Sequence, residues 1–175
     1  MTIQTLRDNL GDYAKDIRIN LSSVLSEEGA PGLKREQIVG IALASAYWTR
    51  DPRIIDAIST EAALTLVPKA IEAAKGAATI MAMNNVYYRS MHLNDDPELS
   101  KLPAKLRMSI IGNPGVEKVD FELYCLGVSA LAGCGACISA HAKEVKKANI
   151  SNEGVQSAIR IAAVINATSQ ALVIG

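Results

Sequence analysis

Residues 120–141 read DFELYCLGVSALAGCGACISAH, and this stretch decides how the chain folds. From Leu123 to Ala140 it carries no charged side chain, and Gly133 interrupts it. An uncharged run of this length is typical of a membrane span or of helices buried in a protein core. Its glycines, serines and cysteines favour the second interpretation. We therefore predict a buried helix over about 119–132 that ends at Gly133, and a further helix over about 134–148.

Apolar side chains recur at helical spacing through most of the remaining chain. The pattern predicts one or two helices over 3–25, a helix over 33–47 and a third helix from about residue 52, after Asp51–Pro52. It predicts a fourth helix after Pro68, with an alanine-rich body over 70–83. The last predicted helix covers about 152–172 and is capped by Ser151. Residues 89–103 are predicted to be an exposed connection with at most a short helix, and residues 113–115 a turn.

Composition supports a single all-α domain over residues 1–175. The chain is 49% hydrophobic and 21% charged, with 26 alanines but only 4% aromatic residues, a mixture that favours closely packed helices. Its 18 basic and 18 acidic side chains cancel, so we expect no nucleic-acid partner. The N-terminus shows no basic leader followed by an apolar run, so we expect a cytoplasmic protein without a membrane anchor.

A weak self-match at an offset of 84 residues suggests an internal duplication of a helical unit. The two halves would cover about 33–88 and 117–172. Ser45–Ala46 falls on Ser129–Ala130 at this offset, whereas Arg50 and Arg53 fall on Cys134 and Cys137. A site built on those cysteines would therefore exist once per chain.

The pair Cys134 and Cys137 is the main functional signal. With His141 it occupies positions i, i+3 and i+7 of the predicted helix, so two thiols and an imidazole lie on one face. A helix N-terminus stabilises a thiolate, and a Cys-x-x-Cys pair can close a disulfide after one sulfur is oxidised. Redox chemistry is the favoured interpretation. Zinc binding, for which a fourth ligand is missing, and an inert buried pair stay open.

Two titratable side chains near this pair, His141 and Glu122, have two interpretations each. His141 is either a proton relay or a structural histidine. Glu122 is either a functional carboxylate in an apolar run or a solvent-facing residue of the first helical turn. We interpret Cys125 as core packing, Met81 and Met83 as core filler, and His92 as exposed.

The order E-x11-C-x-x-C-x-x-x-H over Glu122–His141 resembles the active site of the AhpD family of alkyl hydroperoxidases, within the AhpD-like and carboxymuconolactone decarboxylase superfamily. The resemblance covers most of the chain. It extends to residues 13–22, 81–89 and 106–115. It implies an all-helical fold with a duplicated helical unit and assembly as a homotrimer.

The resemblance also implies a role for each site residue. Cys137 would be the peroxidatic thiol that passes through a sulfenic acid, and Cys134 would donate a proton and close the disulfide. Glu122 and His141 would form the relay that deprotonates Cys137. Helix-dipole reasoning alone would select Cys134 as the attacking thiol. Some relatives have a histidine between the two cysteines, where this chain has Gly135–Ala136.

The implied reaction is the reduction of alkyl hydroperoxides, of oxidised AhpC peroxiredoxin, or of both, in antioxidant defence. Electrons would come from dihydrolipoamide on a dihydrolipoyl acyltransferase, which a lipoamide dehydrogenase regenerates with NADH. AhpC would be reached through a transient mixed disulfide with Cys137. No bound cofactor and no metal are expected. A decarboxylase of the same superfamily and a non-enzymatic redox-sensing or zinc-stabilised binding module are the alternatives.

Overall fold

The computed structural model describes residues 1–94 and 96–175, and these residues form helices joined by turns and loops, without a β-strand. The helices are α1 (Ile3–Asp8), α2 (Lys15–Val24), α3 (Arg35–Thr49), α4 (Pro52–Thr65), α5 (Pro68–Leu93), α6 (Pro97–Ser100), α7 (Ser109–Gly112), α8 (Lys118–Ala132), α9 (Gly135–Lys147) and α10 (Asn152–Ile174). A 3-10 turn over Asp12–Ala14 separates α1 from α2. The all-α prediction is confirmed.

Helices α3 and α8 pack against each other at the centre of the fold. Both are buried on nearly all sides, over 37–46 in α3 and 121–129 in α8, and Glu122 is the one charged side chain within these two spans. Helices α5 and α10 contact both of them, α4 packs on α3, and α9 packs on α8. An all-round apolar helix needs such neighbours because it has no polar face to turn to water. The quoted stretch therefore supplies one of the two core helices.

Local capping explains where several helices begin. The Asp51 side chain accepts a hydrogen bond from the Arg53 amide and Pro52 occupies the first turn of α4, while the Ser151 side chain accepts from the Gly154 amide at the start of α10. Both arrangements satisfy amides that the helix leaves free. At the end of α8, Gly133 adopts a left-handed conformation with φ of 65°. These predicted boundaries are confirmed.

The predicted connection over 89–103 is wrong at its start. Helix α5 continues through residues 89–93 and ends at Leu93, with Asn94 as its C-terminal cap. The Arg89 guanidinium donates a hydrogen bond of 3.0 Å to the carbonyl of Ala132, so the last turns of α5 are held against the C-terminus of α8. Polarity marks this segment as exposed but does not stop a helix. Asp95, in the same predicted connection, lies outside the described residues, and the short helix α7 had no predicted counterpart.

The order α3, α4, α5 is matched by α8, α9, α10, and each later helix begins 83 or 84 residues after its counterpart. At the first junction Arg50 and Gly133 are both left-handed, and Asp51 and Cys134 are both the residues that cap the next helix. Structurally, the place of Cys134 is therefore taken by Asp51 rather than Arg50. The site still occurs once per chain. The duplication itself stays a prediction.

Helix α10 is, among the described residues, long and apolar enough to span a membrane by length and composition alone. Half of its most apolar window is buried inside the protein, and the helix packs against α2, α3 and α8. A core helix passes the same length and composition test.

We expect Gly40→Ala to destabilise the protein by about 1–3 kcal/mol, because a Cβ on Gly40 would overlap the ring of buried Tyr124 where α3 and α8 cross. Adding Tyr124→Leu should recover part of the loss, since it frees space at the crossing. Urea unfolding measures both changes. Gly112→Ala is the matched control, because a Cβ there meets no other atom within 4 Å. An unchanged midpoint for Gly40→Ala would contradict the close approach.

Candidate active site

Cys134 and Cys137 lie at the junction of α8 and α9 and form a disulfide, with their Cα atoms 5.3 Å apart. Gly133 ends α8, which leaves Cys134 as the residue that caps α9. The Cys134 sulfur accepts a hydrogen bond of 3.3 Å from the Cys137 amide. The sulfur thus occupies the place that an oxygen takes in most helix caps. The positive end of the α9 dipole therefore lies at the cysteine pair.

The two sulfurs differ in their access to the surroundings. Cys134 is fully buried, with 0% of its surface exposed, whereas Cys137 is 7% exposed. Cys137 also lines a cavity, and Cys134 does not. A small molecule that enters this cavity meets Cys137 first.

The cavity beside Cys137 has a volume of about 280 Å³ and a mainly apolar wall. Its wall is formed by α5, α9 and the segment around α7. The residues that line it include Met81, Asn84, Tyr88, Met108, Ile111, Cys137 and His141. A space of this size and polarity suits a small organic molecule with one polar group.

Glu122 and His141 form a buried pair between α8 and α9. The Nδ1 atom of His141 lies 2.6 Å from Oε2 of Glu122, and the side chains of the two residues are 12% and 5% exposed respectively. The solvent-facing interpretation of Glu122 is therefore wrong. A carboxylate is costly to bury without a partner, and His141 is the partner that α9 provides. His141 also lines the cavity, so the pair links its wall to the protein interior.

Met81 contacts the other ring nitrogen of His141. The Nε2 atom lies 3.2 Å from the Met81 sulfur, and the Ser129 hydroxyl lies 3.5 Å from the same sulfur. Met81 is buried, as predicted for a core side chain, but it also fixes one edge of the imidazole. Met83 is partly exposed and His92 is exposed. The prediction for His92 is confirmed.

Cys125 is buried in α8, so its interpretation as core packing is confirmed. Burial raises the pKa of its thiol, and the nearby negative charge of Glu122 raises it further. The thiol therefore stays protonated and unreactive. No group of three or more His, Cys, Asp or Glu side chains within residues 1–94 and 96–175 is placed to hold a metal ion.

Relatives named alkyl hydroperoxide reductase AhpD match this chain over nearly its full length. One from Coxiella burnetii (strain Dugway 5J108-111) is 52% identical over 172 residues, which are 98% of this chain and 97% of the relative. One from Rhodospirillum centenum is 51% identical over 98% of this chain and 91% of the relative. The chain belongs to the AhpD family. The model of the carboxymuconolactone decarboxylase family matches residues 97–173.

The AhpD relatives extend beyond these two. One from Streptomyces avermitilis is 48% identical over 98% of this chain and 96% of the relative. Family membership agrees with the resemblance of residues 120–141, and the structure brings all four predicted site residues to the α8–α9 region.

Sequence reasoning had assigned no role to Met81 beyond core filler, and none to Asn84, Tyr88 or Met108, although residues 81–89 and 106–115 already carried the AhpD resemblance. The structure places these four side chains on the cavity wall. The signal that could have identified Asn84 was the adjacent pair Asn84–Asn85 within residues 80–88, where no side chain is charged.

We expect Cys125 to resist alkylation in the folded, reduced protein, including at pH 9, because burial raises its pKa. Cys137, which lines the cavity, should react first. Iodoacetamide labelling followed by peptide mapping measures each thiol separately, with urea-unfolded protein as the control in which all three react. Labelling of Cys125 at the rate of Cys137 in folded protein would contradict this account.

Proposed function

We propose that this protein is an alkyl hydroperoxide reductase that works through a dithiol/disulfide cycle of Cys134 and Cys137. One observation carries the proposal: in a chain of the AhpD family, the cysteine pair places Cys137 on an apolar cavity that His141 also lines. The cavity can hold the alkyl group of an organic hydroperoxide, and the reactive groups lie at its wall.

The oxidative half-reaction begins at Cys137. Its thiolate attacks the distal oxygen of the hydroperoxide, so an S–O bond forms as the O–O bond breaks. Cys137 becomes a sulfenic acid, and the alkoxide that leaves takes a proton from the Cys134 thiol to become the alcohol. The Cys134 thiolate, which is the resolving group, then displaces hydroxide from the sulfenic acid, and the hydroxide takes the proton that His141 removed from Cys137. A disulfide and water are the products.

The choice of Cys137 over Cys134 rests on access and on a nearby base. Cys134 is the better placed of the two toward the α9 dipole, but it has no exposed surface and lies off the cavity. Cys137 lines the cavity and precedes His141 by one helical turn. A local base can outweigh a small difference in position along the dipole.

In this proposal Glu122 determines which ring nitrogen of His141 carries the hydrogen. An ionised carboxylate only accepts hydrogen bonds, so Nδ1 of the imidazole carries the hydrogen that Glu122 accepts. The neutral ring then has its lone pair on Nε2, which in the disulfide form lies 3.2 Å from the Met81 sulfur. In the reduced protein this nitrogen is the one proposed to take the Cys137 proton. Glu122 also stabilises the imidazolium that results.

The reductive half-reaction and the partners are proposed from the family resemblance. Dihydrolipoamide on a dihydrolipoyl acyltransferase reduces the Cys134–Cys137 disulfide. A lipoamide dehydrogenase then regenerates the dihydrolipoamide with NADH. Oxidised AhpC is reduced through a mixed disulfide with Cys137, the more accessible sulfur. The setting is the cytoplasm, and the protein needs no bound cofactor or metal.

The proposed assembly is a homotrimer. Among the residues that the structure describes, nine large apolar side chains are exposed, including Leu64, Val67 and Val173, which gives the single chain apolar surface to bury. Light scattering should give about three times the chain mass of 18.6 kDa, and a monomeric mass would refute the trimer.

Cys137→Ser should abolish NADH consumption in a mixture of this protein, lipoamide, lipoamide dehydrogenase and cumene hydroperoxide, because the attacking sulfur is lost. Cys125→Ala is the matched control, since it removes a buried thiol outside the pair and should keep most of the rate. Adding AhpC should raise the wild-type rate if disulfide reduction of AhpC is the main activity.

Absence of wild-type turnover above background, with and without AhpC, would refute the proposed function. Equal turnover in the wild type and in Cys137→Ser would refute the thiol mechanism while leaving peroxide reduction intact.

A further inference from the structure

Asn84 is a buried polar side chain without a hydrogen-bond partner on the wall of the Cys137 cavity. The residue is 4% exposed and lies in the middle of α5. Its Oδ1 atom is inaccessible to solvent and accepts no hydrogen bond, and its side chain makes none to any other described residue. Asn84 shares the cavity wall with Cys137 and His141.

An amide in this position is costly for a protein that only has to fold. Burying a carboxamide without a compensating hydrogen bond destabilises the folded state, and an apolar side chain of similar shape would avoid that penalty. The neighbouring Asn85 differs at the same atom, because its Oδ1 accepts a hydrogen bond of 3.0 Å from the Ser129 hydroxyl, although its buried Nδ2 has no partner. Asn84 lacks such a bond at the one wall where a substrate would lie. Its hydrogen-bonding capacity is therefore open to a ligand in the cavity.

We propose that Asn84 is a substrate-binding residue whose carboxamide hydrogen-bonds the hydroperoxide group in the cavity. Its unpaired Oδ1 accepts a hydrogen bond from the hydroperoxide O–H. Its Nδ2 donates to the oxygen that carries the alkyl group, and this second hydrogen bond strengthens as that oxygen becomes an alkoxide. The inference rests on the proposed function, because it assigns a residue to the oxidation of Cys137.

The chemical need for such a donor follows from where charge moves in the reaction. The negative charge starts on the Cys137 sulfur and ends on the leaving oxygen as the O–O bond breaks. The rest of the cavity is mainly apolar, and the sulfurs of Met81 and Met108 donate no hydrogen bond. The Tyr88 hydroxyl also lies on this wall, but it donates to the Met108 sulfur at 3.8 Å. His141 is engaged with the thiol proton. Asn84 is the neutral amide donor on this wall, so it can hold the hydroperoxide in line with the sulfur and stabilise the charge that develops.

The role predicts an effect on one half-reaction only. Dithiol reduction of the Cys134–Cys137 disulfide places no charge on a peroxide oxygen, so it does not need the Asn84 amide. A purely structural contribution of Asn84 would instead alter both half-reactions, because both use the same cysteine pair.

The experiment measures the two half-reactions separately in the wild type, Asn84→Ala and Asn84→Leu. Stopped-flow fluorescence or thiol quench follows the oxidation of reduced protein by cumene hydroperoxide, and a second mixing experiment follows reduction of the disulfide by dihydrolipoamide. Asn84→Leu fills nearly the same volume and removes the unpaired Oδ1, so its thermal midpoint should not fall. Asn85→Ala is the matched control on the same helix, because Asn85 does not line the cavity.

We expect cumene hydroperoxide to oxidise both Asn84 variants about 10- to 100-fold more slowly than the wild type. Dihydrolipoamide should reduce both variants at rates within about twofold of the wild-type rate. In Asn85→Ala the ratio of the two rates should match that of the wild type. Wild-type oxidation rates in both Asn84 variants, or equal losses in both half-reactions, would overturn the inference while leaving the proposed function in place. A reduced wild type that cumene hydroperoxide does not oxidise would overturn both.

Discussion

The site depends on the turn at Gly133, which ends α8 and starts α9 without a spacer. Gly133 adopts φ of 65°, a conformation that costs a residue with a side chain about 1 kcal/mol. Because the turn is this short, the next residue, Cys134, is the cap of α9, and Cys137 lies in its first turn. The same turn packs α9 against α8, so that His141 meets Glu122. The disulfide, the position of the helix dipole and the buried Glu122–His141 hydrogen bond therefore have one structural origin.

Packing against α5 completes the site. Arg89 ties the end of α5 to the Ala132 carbonyl, one residue before Gly133. This contact holds the middle of α5 over α9, where Met81 meets the imidazole and Asn84 reaches the cavity. Glu122 and His141 each require the other, because removing one would leave the second polar group buried without a hydrogen-bond partner. The core helices α3 and α8 supply the rigid base that keeps these distances fixed.

Local patterns were enough to predict most of the helices and to single out the four candidate site residues within 120–141. Asp51–Pro52, Ser151 and Gly133 act within a few residues of their own position, so their effect can be predicted from spacing alone. The extension of α5 through 89–93 was missed because polar residues there suggested a loop, whereas a contact with α8 stabilises the helix. Met81 and Asn84 lie about 50 residues from Cys137 in sequence, and no periodicity predicts which side chains two distant helices bring together.

The central claim is that peroxide oxidises Cys137, the sulfur on the cavity, and that Cys134 resolves the product. The most direct test treats reduced Cys134→Ser and Cys137→Ser proteins with one equivalent of cumene hydroperoxide in the presence of dimedone, which adds to sulfenic acids. Peptide mass spectrometry then locates the adduct. We expect an adduct on Cys137 in Cys134→Ser and little or none on Cys134 in Cys137→Ser. A comparable adduct on Cys134, or none on Cys137, would contradict the account.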